Sequence, residues 1–304
     1  MLGEMTVLRI LAAFGCGWLA SALAGEAAIQ PISSAHLENC FRLSSRVLSG
    51  AEPRGEAAFA ELKRLGVTAI ISVDGSKPDT AGARQQGLRY FHLPMGYGGA
   101  TRSDALRLVK AAEVAGGTVY VHCHHGRHRG PAAAAILCRA RENWDAGDAL
   151  RWLKQAGTSS DYPGLFGLAA SFRPPTAAEL REVSPDLPES AAVAQMVQGM
   201  VEIDSRWDRL KDWQEPGDGA PAIAPEQESL LLAEAFRELT RSAEASSRGP
   251  DFLACLKEAE EDAWSLHSLF KGGAELSPQG RAKADALLLR ARQSCAACHK
   301  RYRN

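Results

Sequence analysis

The sequence predicts a multidomain chain: an α/β domain with a central sheet and flanking helices, followed by an all-α four-helix bundle. Three observations predict it. Short β-branched runs alternate with helical patterns from about residue 47 to residue 172, the β signal stops at a proline-rich stretch, and four amphipathic segments of helical period fill what remains. At 304 residues the chain has room for two domains of about 150 residues each. A formal net charge of -1 and 23% charged residues leave no basic excess for nucleic acid or an anionic membrane, so small molecules or proteins are the expected partners.

The first stretch, MLGEMTVLRILAAFGCGWLASALAGEAA, carries one arginine, an uncharged run from Ile10 to Ala24 and a closing Ala22-Leu23-Ala24. A basic start, a short apolar run and a small-residue cleavage site predict a signal peptide over 1–24 and an exported, periplasmic protein. The run is shorter than the roughly 20 apolar residues that span a bilayer, so no membrane span is expected after cleavage. Of the 7 cysteines, Cys16 leaves with this segment. Cys40, Cys123, Cys138 and Cys255 show no disulfide-scaffold spacing, and Cys295 and Cys298 form a spaced pair.

Within 25–172, VTAIISV (67–73), RYFHLP (89–94) and TVYVHC (118–123) read as strands, the first and last nearly continuous in apolar residues as buried parallel strands are. EAAFAELKRLG, TAGARQQG and SDALRLVKAAEVAGG are helical in period, and each closes on glycine. Pro174, Pro175, Pro185 and Pro188 mark 173–188 as an extended, stiffened interdomain linker. Beyond it, over 189–304, four segments begin at or near Pro188, Pro225, Pro250 and Pro278. Proline in a first helical turn forfeits no hydrogen bond, and short loops between four helices of about 20 residues predict an antiparallel bundle.

Two motifs carry chemistry. VHCHHGRHRGP (121–131) places five residues between Cys123 and Arg129, after a buried strand and before the helical PAAAAILCRARENW. Such a loop can curl its amide N–H groups and the helix N-terminus onto one anion, with Gly126 permitting the curvature. The same positive field favours a thiolate at Cys123, while the planar fork of Arg129 can grip two phosphate oxygens. Strand, H-C-x5-R, helix thus reads as a nucleophile with an oxyanion cradle.

These residues, together with SGAEP (49–53), resemble the cysteine-dependent protein phosphatases, especially the compact dual-specificity branch, over about residues 40–170. The resemblance implies an α/β phosphatase-like domain acting on a phosphorylated substrate. Cys123 would form a phosphocysteine, Arg129 would clamp phosphate, and the N–H groups of His124, His125, Gly126, Arg127, His128 and Arg129 would form the cradle. His122 would sit under the thiolate and tune it. The chain departs from the family twice. Gly130 stands where Ser or Thr is usual, and MGYGGATRSD (95–104) offers only Asp104 as the upstream general acid, with Asp74 a second candidate and a helix-capping role for Asp104 equally open. His124, His125 and His128 read as a cationic rim, with His124 or His125 a substitute proton donor. Metal binding is the rival reading, against which stands the tendency of a loop wrapped around an anion to splay its side chains.

The second motif, CAACHKRYRN (295–304), contains C-x-x-C-H, the attachment pattern of c-type haem. Its place at the end of a fourth helix resembles the cytochrome c′ group, whose last helix ends C-x-x-C-H-x-x-[FY]-R. The resemblance implies haem c held covalently by Cys295 and Cys298, with His299 the axial ligand to the metal. Met196 or Met200 is a candidate for the opposite face, and Arg301 and Arg303 for propionate partners. The expectation is an exported phosphatase fused to a haem domain for redox sensing or electron transfer, with an electron donor or acceptor protein as a possible partner. Its alternative is a haem carrier or sensor whose first domain binds phosphate without turnover.

Overall fold

The computed structural model describes residues 29–215, 224–271 and 276–303; the export segment read over 1–24 lies outside the described residues. Six strands, β1 (Gln30–Pro31), β2 (Phe41–Arg42), β3 (Val47–Gly50), β4 (Val67–Ser72), β5 (Arg89–His92) and β6 (Thr118–His122), form one mixed sheet in the order β1-β2-β3-β6-β4-β5. The β1–β2 and β2–β3 pairs are antiparallel, whereas β3, β6, β4 and β5 run parallel. The three strands read from sequence are β4, β5 and β6, and the buried apolar runs of β4 and β6 occupy the middle of the sheet.

Helices cover both faces. On one, α1 (Gly55–Arg64) and α2 (Thr80–Gln85) bury Phe59, Leu62 and Ala83 against Ile70, Tyr90 and Tyr120. On the other, α3 (Arg102–Ala115), α4 (Arg129–Arg141), α5 (Ala146–Gln155) and α6 (Pro163–Ser171) build the larger core around Leu108, Ile136, Trp152 and Leu165. Every residue of α4 from Arg129 to Cys138 is buried, because its alanine run lets the helix backbone come close beneath the sheet.

The segment 173–188 is not the extended spacer that its prolines predict. It contains α7 (Ala177–Glu182), started by a reciprocal capping box between Thr176 and Glu179, and the Glu179 carboxylate also accepts from Arg102 of α3 at 2.8 Å. Leu187 joins the core of the α/β unit. Capping chemistry and one ion pair hold this stretch against the sheet domain despite its prolines.

Beyond it, α8 (Gln195–Gln214), α9 (Pro225–Thr240), α10 (Ala243–Ser247), α11 (Pro250–Phe270) and α12 (Pro278–Tyr302) share a separate core that includes Met196, Leu210, Phe236, Leu266 and Phe270. The second amphipathic stretch divides into α9 and α10 because the Ser242 side chain accepts from the Ala245 N–H and starts a new helix. Buried Glu228 ties α9 to Arg206 and Arg209 of α8, and buried Asp262 ties α11 to Arg290 of α12. Successive helices pack α8 on α9, α9 on α11 and α11 on α12, and the end of α8 meets the start of α12 where Arg281 lies over Trp213 and donates to the Gln214 carbonyl at 2.6 Å. Among the described residues no helix is long and apolar enough to cross a membrane.

Candidate active site

Three parallel strands deliver the site together. Gly50 of β3 and Ser72 of β4 both pair with His122 of β6, so the turns leaving those strands meet the Cys123 loop at one edge of the sheet. The carboxyl ends of parallel strands are where open α/β sheets place their ligands.

The loop from His124 to Arg129 is held from outside. Asn39 Nδ2 donates to the Gly126 carbonyl at 2.9 Å, Thr158 Oγ1 to the Arg127 carbonyl at 2.7 Å, and the Glu52 amide to the His124 carbonyl at 3.1 Å. Among the described residues, no amide N–H from His124 to Arg129 donates to a protein acceptor. Carbonyls pinned outward and amides left unused make a ring of donors, an anion-binding nest at the N-terminus of α4. Gly126 adopts φ +64, and a side chain there would overlap Gly50 and Ala51, so this position requires glycine for both conformation and space. A Cβ on Gly130 would come 3.0 Å from the Cys123 nitrogen, so a side chain there would press on the start of the loop.

Arg129 is 7% exposed, and its Nη2 donates to Asp74 Oδ1 at 2.8 Å. Asp74 is fully buried. Burial alone would raise its carboxyl, but Arg129, with help from His124 and the Gly75 amide, holds it below the ordinary value. Asp74 therefore stands as a carboxylate that orients the guanidinium. The other face of Arg129 lies on the Tyr97 ring at 4.6 Å, and Arg303 from the end of α12 lies on the same ring at 3.7 Å. Arg303 also donates to Tyr162 Oη at 3.0 Å and stands 3.1 Å from His299 Nδ1.

Other predicted residues fall as follows. Cys123 is 4% exposed at the end of β6. His122 is buried, with Nε2 2.6 Å from Tyr90 Oη and its ring near Tyr120; burial pushes it down to about 4, so it is neutral at neutral pH. Asp104 is the third residue of α3, where it accepts from the Thr101 hydroxyl at 2.7 Å and lines a cleft with Met95, Arg107 and Ala191. That is its capping role. His128 sits against Tyr162, and Arg127 contributes its backbone carbonyl to Thr158. The six described cysteines are all free thiols.

His124 and His125 have partners that sequence reading missed. His124 Nε2 stands 3.7 Å from Asp208 Oδ2, and His125 Nε2 stands 3.4 Å from Asp204 Oδ2 and 3.8 Å from Asp208 Oδ2. Both aspartates are on α8, four residues apart on one helix face, so that spacing was the one signal in the sequence. Asn39, Thr158, Tyr97 and His92 left no signal at all. His92 bridges the two units, its Nε2 bonded to the Asp74 carbonyl at 2.9 Å and its Nδ1 accepting from the Ala191 amide at 3.0 Å.

On α12, Cys295, Cys298 and His299 fall on one helical face by their spacing of three and four. Burial pushes the Cys295 thiol up to about 11 and that of Cys298 up to about 12, Cys298 also pairing with Cys255. Burial, then Arg303, pushes His299 down to about 4, leaving a neutral imidazole. Cys298 packs against the core that these helices share, as do the partly exposed Met200 and Trp207 of α8.

No family model matches the sequence, and no curated protein matches it. Among solved structures, the chain is similar to P. aeruginosa TpbA at 23% identity, covering 52% of this chain and 91% of that one with a TM-score of 0.40. It is also similar to the core catalytic domain of the S. cerevisiae PP-IP phosphatase SIW14, at 14% identity, 44% and 86% coverage and a TM-score of 0.38. Human DUSP28 shares 21% identity, with 46% and 93% coverage and a TM-score of 0.36.

Proposed function

We propose that this protein is an exported, cysteine-dependent phosphatase of phosphomonoesters, of the protein tyrosine or dual-specificity type, joined to a c-type haem domain of four-helix-bundle form. The observation that carries the phosphatase reading is the ring of unused amides from His124 to Arg129, closed by the Asp74-anchored guanidinium and rooted on Cys123. Such a ring fits the equatorial oxygens of a phosphoryl group in transfer and is in place before substrate arrives. The Cys123 sulfur attacks phosphorus, the bond from phosphorus to the ester oxygen breaks, and that oxygen leaves with a proton. Water then cleaves the sulfur–phosphorus bond, releasing inorganic phosphate and restoring the cysteine.

The residues of α12 fit haem c in donor set and placement: two thiols and a neutral imidazole on one helical face. Cys295 and Cys298 would hold the group covalently, and His299 would be a ligand to its iron. Bound haem would supply one-electron redox chemistry. This chain's own contribution is Arg303, which joins the His299 ring to the Tyr97 face that also supports Arg129.

The second reading, phosphate binding without turnover, is favoured by the 4% exposure of Cys123 and by Gly130. A steady-state assay on an aryl phosphate decides between them. Turnover that disappears in Cys123→Ser, with inorganic phosphate still bound, is the expected result. A wild-type protein that binds phosphate and releases none from the ester would replace the enzyme with the binding module.

A further inference from the structure

Where the Cys123 loop meets α8, the imidazoles of His124 and His125 converge on carboxylates in a way that ion pairing alone does not explain. Among the described residues, one group of three or more histidine, cysteine and acidic side chains has its donor atoms within 4.8 Å of one another: His124, His125 and Asp204. Asp208 Oδ2 adds a fourth oxygen, 3.7 Å from His124 Nε2 and 3.8 Å from His125 Nε2. Charge-assisted hydrogen bonds between imidazolium and carboxylate close to about 2.7–2.9 Å. The nitrogen–oxygen separations here are 3.4, 3.7 and 3.8 Å. Neighbouring donors in a tetrahedral shell with metal bonds of about 2.0–2.1 Å stand about 3.3–3.4 Å apart. All three are longer than such a hydrogen bond, and the shortest matches the spacing of ligands around a common centre.

We propose that His124, His125, Asp204 and Asp208 form a divalent transition-metal site, of the zinc class, that bridges the Cys123 loop and α8. Carboxylates surround the cluster. The Glu52 and Asp74 carboxylates stand 3.6 and 4.0 Å from His124 Nδ1, beyond hydrogen-bond reach but near enough to offset the charge of an ion. Arg54 Nη2 lies 3.2 Å from His124 Nδ1 and 3.4 Å from Nε2 and is itself paired with Glu52 at 3.2 Å, so an ion requires that guanidinium to stay with Glu52; Lys211 pairs with Asp208 through Oδ1, which leaves Oδ2 toward the histidines. His125 and Asp204 are 45% and 46% exposed, which gives an ion its entry path, while His124 at 8% supplies a buried anchor. Nitrogen and oxygen donors without thiolate suit zinc and its neighbours. An ion there fastens α8 across the rim of the loop, so one side of the mouth is set by metal occupancy. The site stands on donor geometry and is independent of whether Cys123 turns over an ester.

The test is X-ray absorption at the zinc edge on the full chain carrying one equivalent of Zn(II), followed by zinc affinity from competition with a chromophoric chelator. The expected shell is nitrogen and oxygen at about 2.0 Å with scattering from two imidazoles, and His125→Ala and Asp204→Asn each weaken binding at least about ten-fold. A shell dominated by sulfur at about 2.3 Å, as Cys295 and Cys298 would give, overturns the proposal, and so does an affinity unchanged in both variants. Asp204→Asn keeps the size of the side chain, and the absorption measurement needs no variant, so a folding defect in His125→Ala leaves the question decided.

Discussion

The Cys123 loop and the CAACH segment both set thiols beside basic side chains, yet they are built by opposite means. In the first, the backbone supplies the chemistry: three carbonyls are tied outward by Asn39, Thr158 and Glu52, a left-handed Gly126 lets the chain touch Gly50, and a buried carboxylate fixes the one essential guanidinium. In the second, the backbone is an ordinary helix whose peptide groups are spent on each other, and only side chains three and four residues apart face outward. One site is complete without a ligand, whereas the other presents donors that require a group to join them. Preorganisation belongs to the loop, and the helix offers attachment.

Removing the Cys295 and Cys298 thiols breaks the comparison most severely. On the proposed attachment, Cys295→Ala with Cys298→Ala is expected to abolish covalent haem, read as loss of the haem absorbance that survives acid extraction. Aryl phosphate turnover is expected to stay within about two-fold, because neither thiol touches Arg129 and its Asp74 partner remains in place. A collapse of turnover in step with haem loss would show that the loop is not complete by itself.

The next largest effect probes the loop. Asp74→Asn preserves shape but strips the charge facing Arg129, and a buried pair left with one member costs about 3–5 kcal/mol. The variant is expected to melt lower and to lose about ten- to a hundred-fold in kcat/KM, mostly in kcat, because the guanidinium matters most when charge spreads over the transferring oxygens. A change confined to melting temperature, with kcat intact, would reduce Asp74 to a structural residue.

How much of this was legible in the sequence follows the same division. The CAACH donors were readable because helix periodicity alone places 295, 298 and 299 together. The loop was half readable: Cys123, Gly126 and Arg129 sit between a recognisable strand and helix. Its restraints were not, because Asn39 reaches Gly126 across 87 positions and Ala156 across 117. β3 was missed for a related reason. VLSG is four residues long with two small members, too short to show a period, and it becomes a strand only by pairing with β6. Asp204 and Asp208 belong to no sequence motif, and only the fold brings their helix face to His124 and His125.

The smallest expected effect concerns that same face with chelator present, when protons take the place of a metal. Burial disfavours the charged form of His124, but Asp208 and Glu52, with Asp74 and Asp204, outweigh it and hold the ring up at about 10 against an ordinary 6.5. Asp208 is opposed by burial and held down at about 2, against an ordinary 3.8, by His124 and Lys211. A raised imidazole contributes fully below its unfolded value and loses that contribution as pH climbs through about 10. A lowered carboxylate contributes fully above its unfolded value and loses it as pH falls through about 2. The docking of α8 on the loop is therefore strongest between about pH 4 and about pH 6.5. Limited proteolysis between the two units is expected to be slower at pH 5.5 than at pH 9, each corrected for the protease's own pH profile. Asp208→Asn should flatten most of that difference, since it removes the carboxylate nearest His124 Nε2. An equal pH dependence in wild type and Asp208→Asn would place the coupling elsewhere, with His92 and its bond to Ala191 as the remaining bridge.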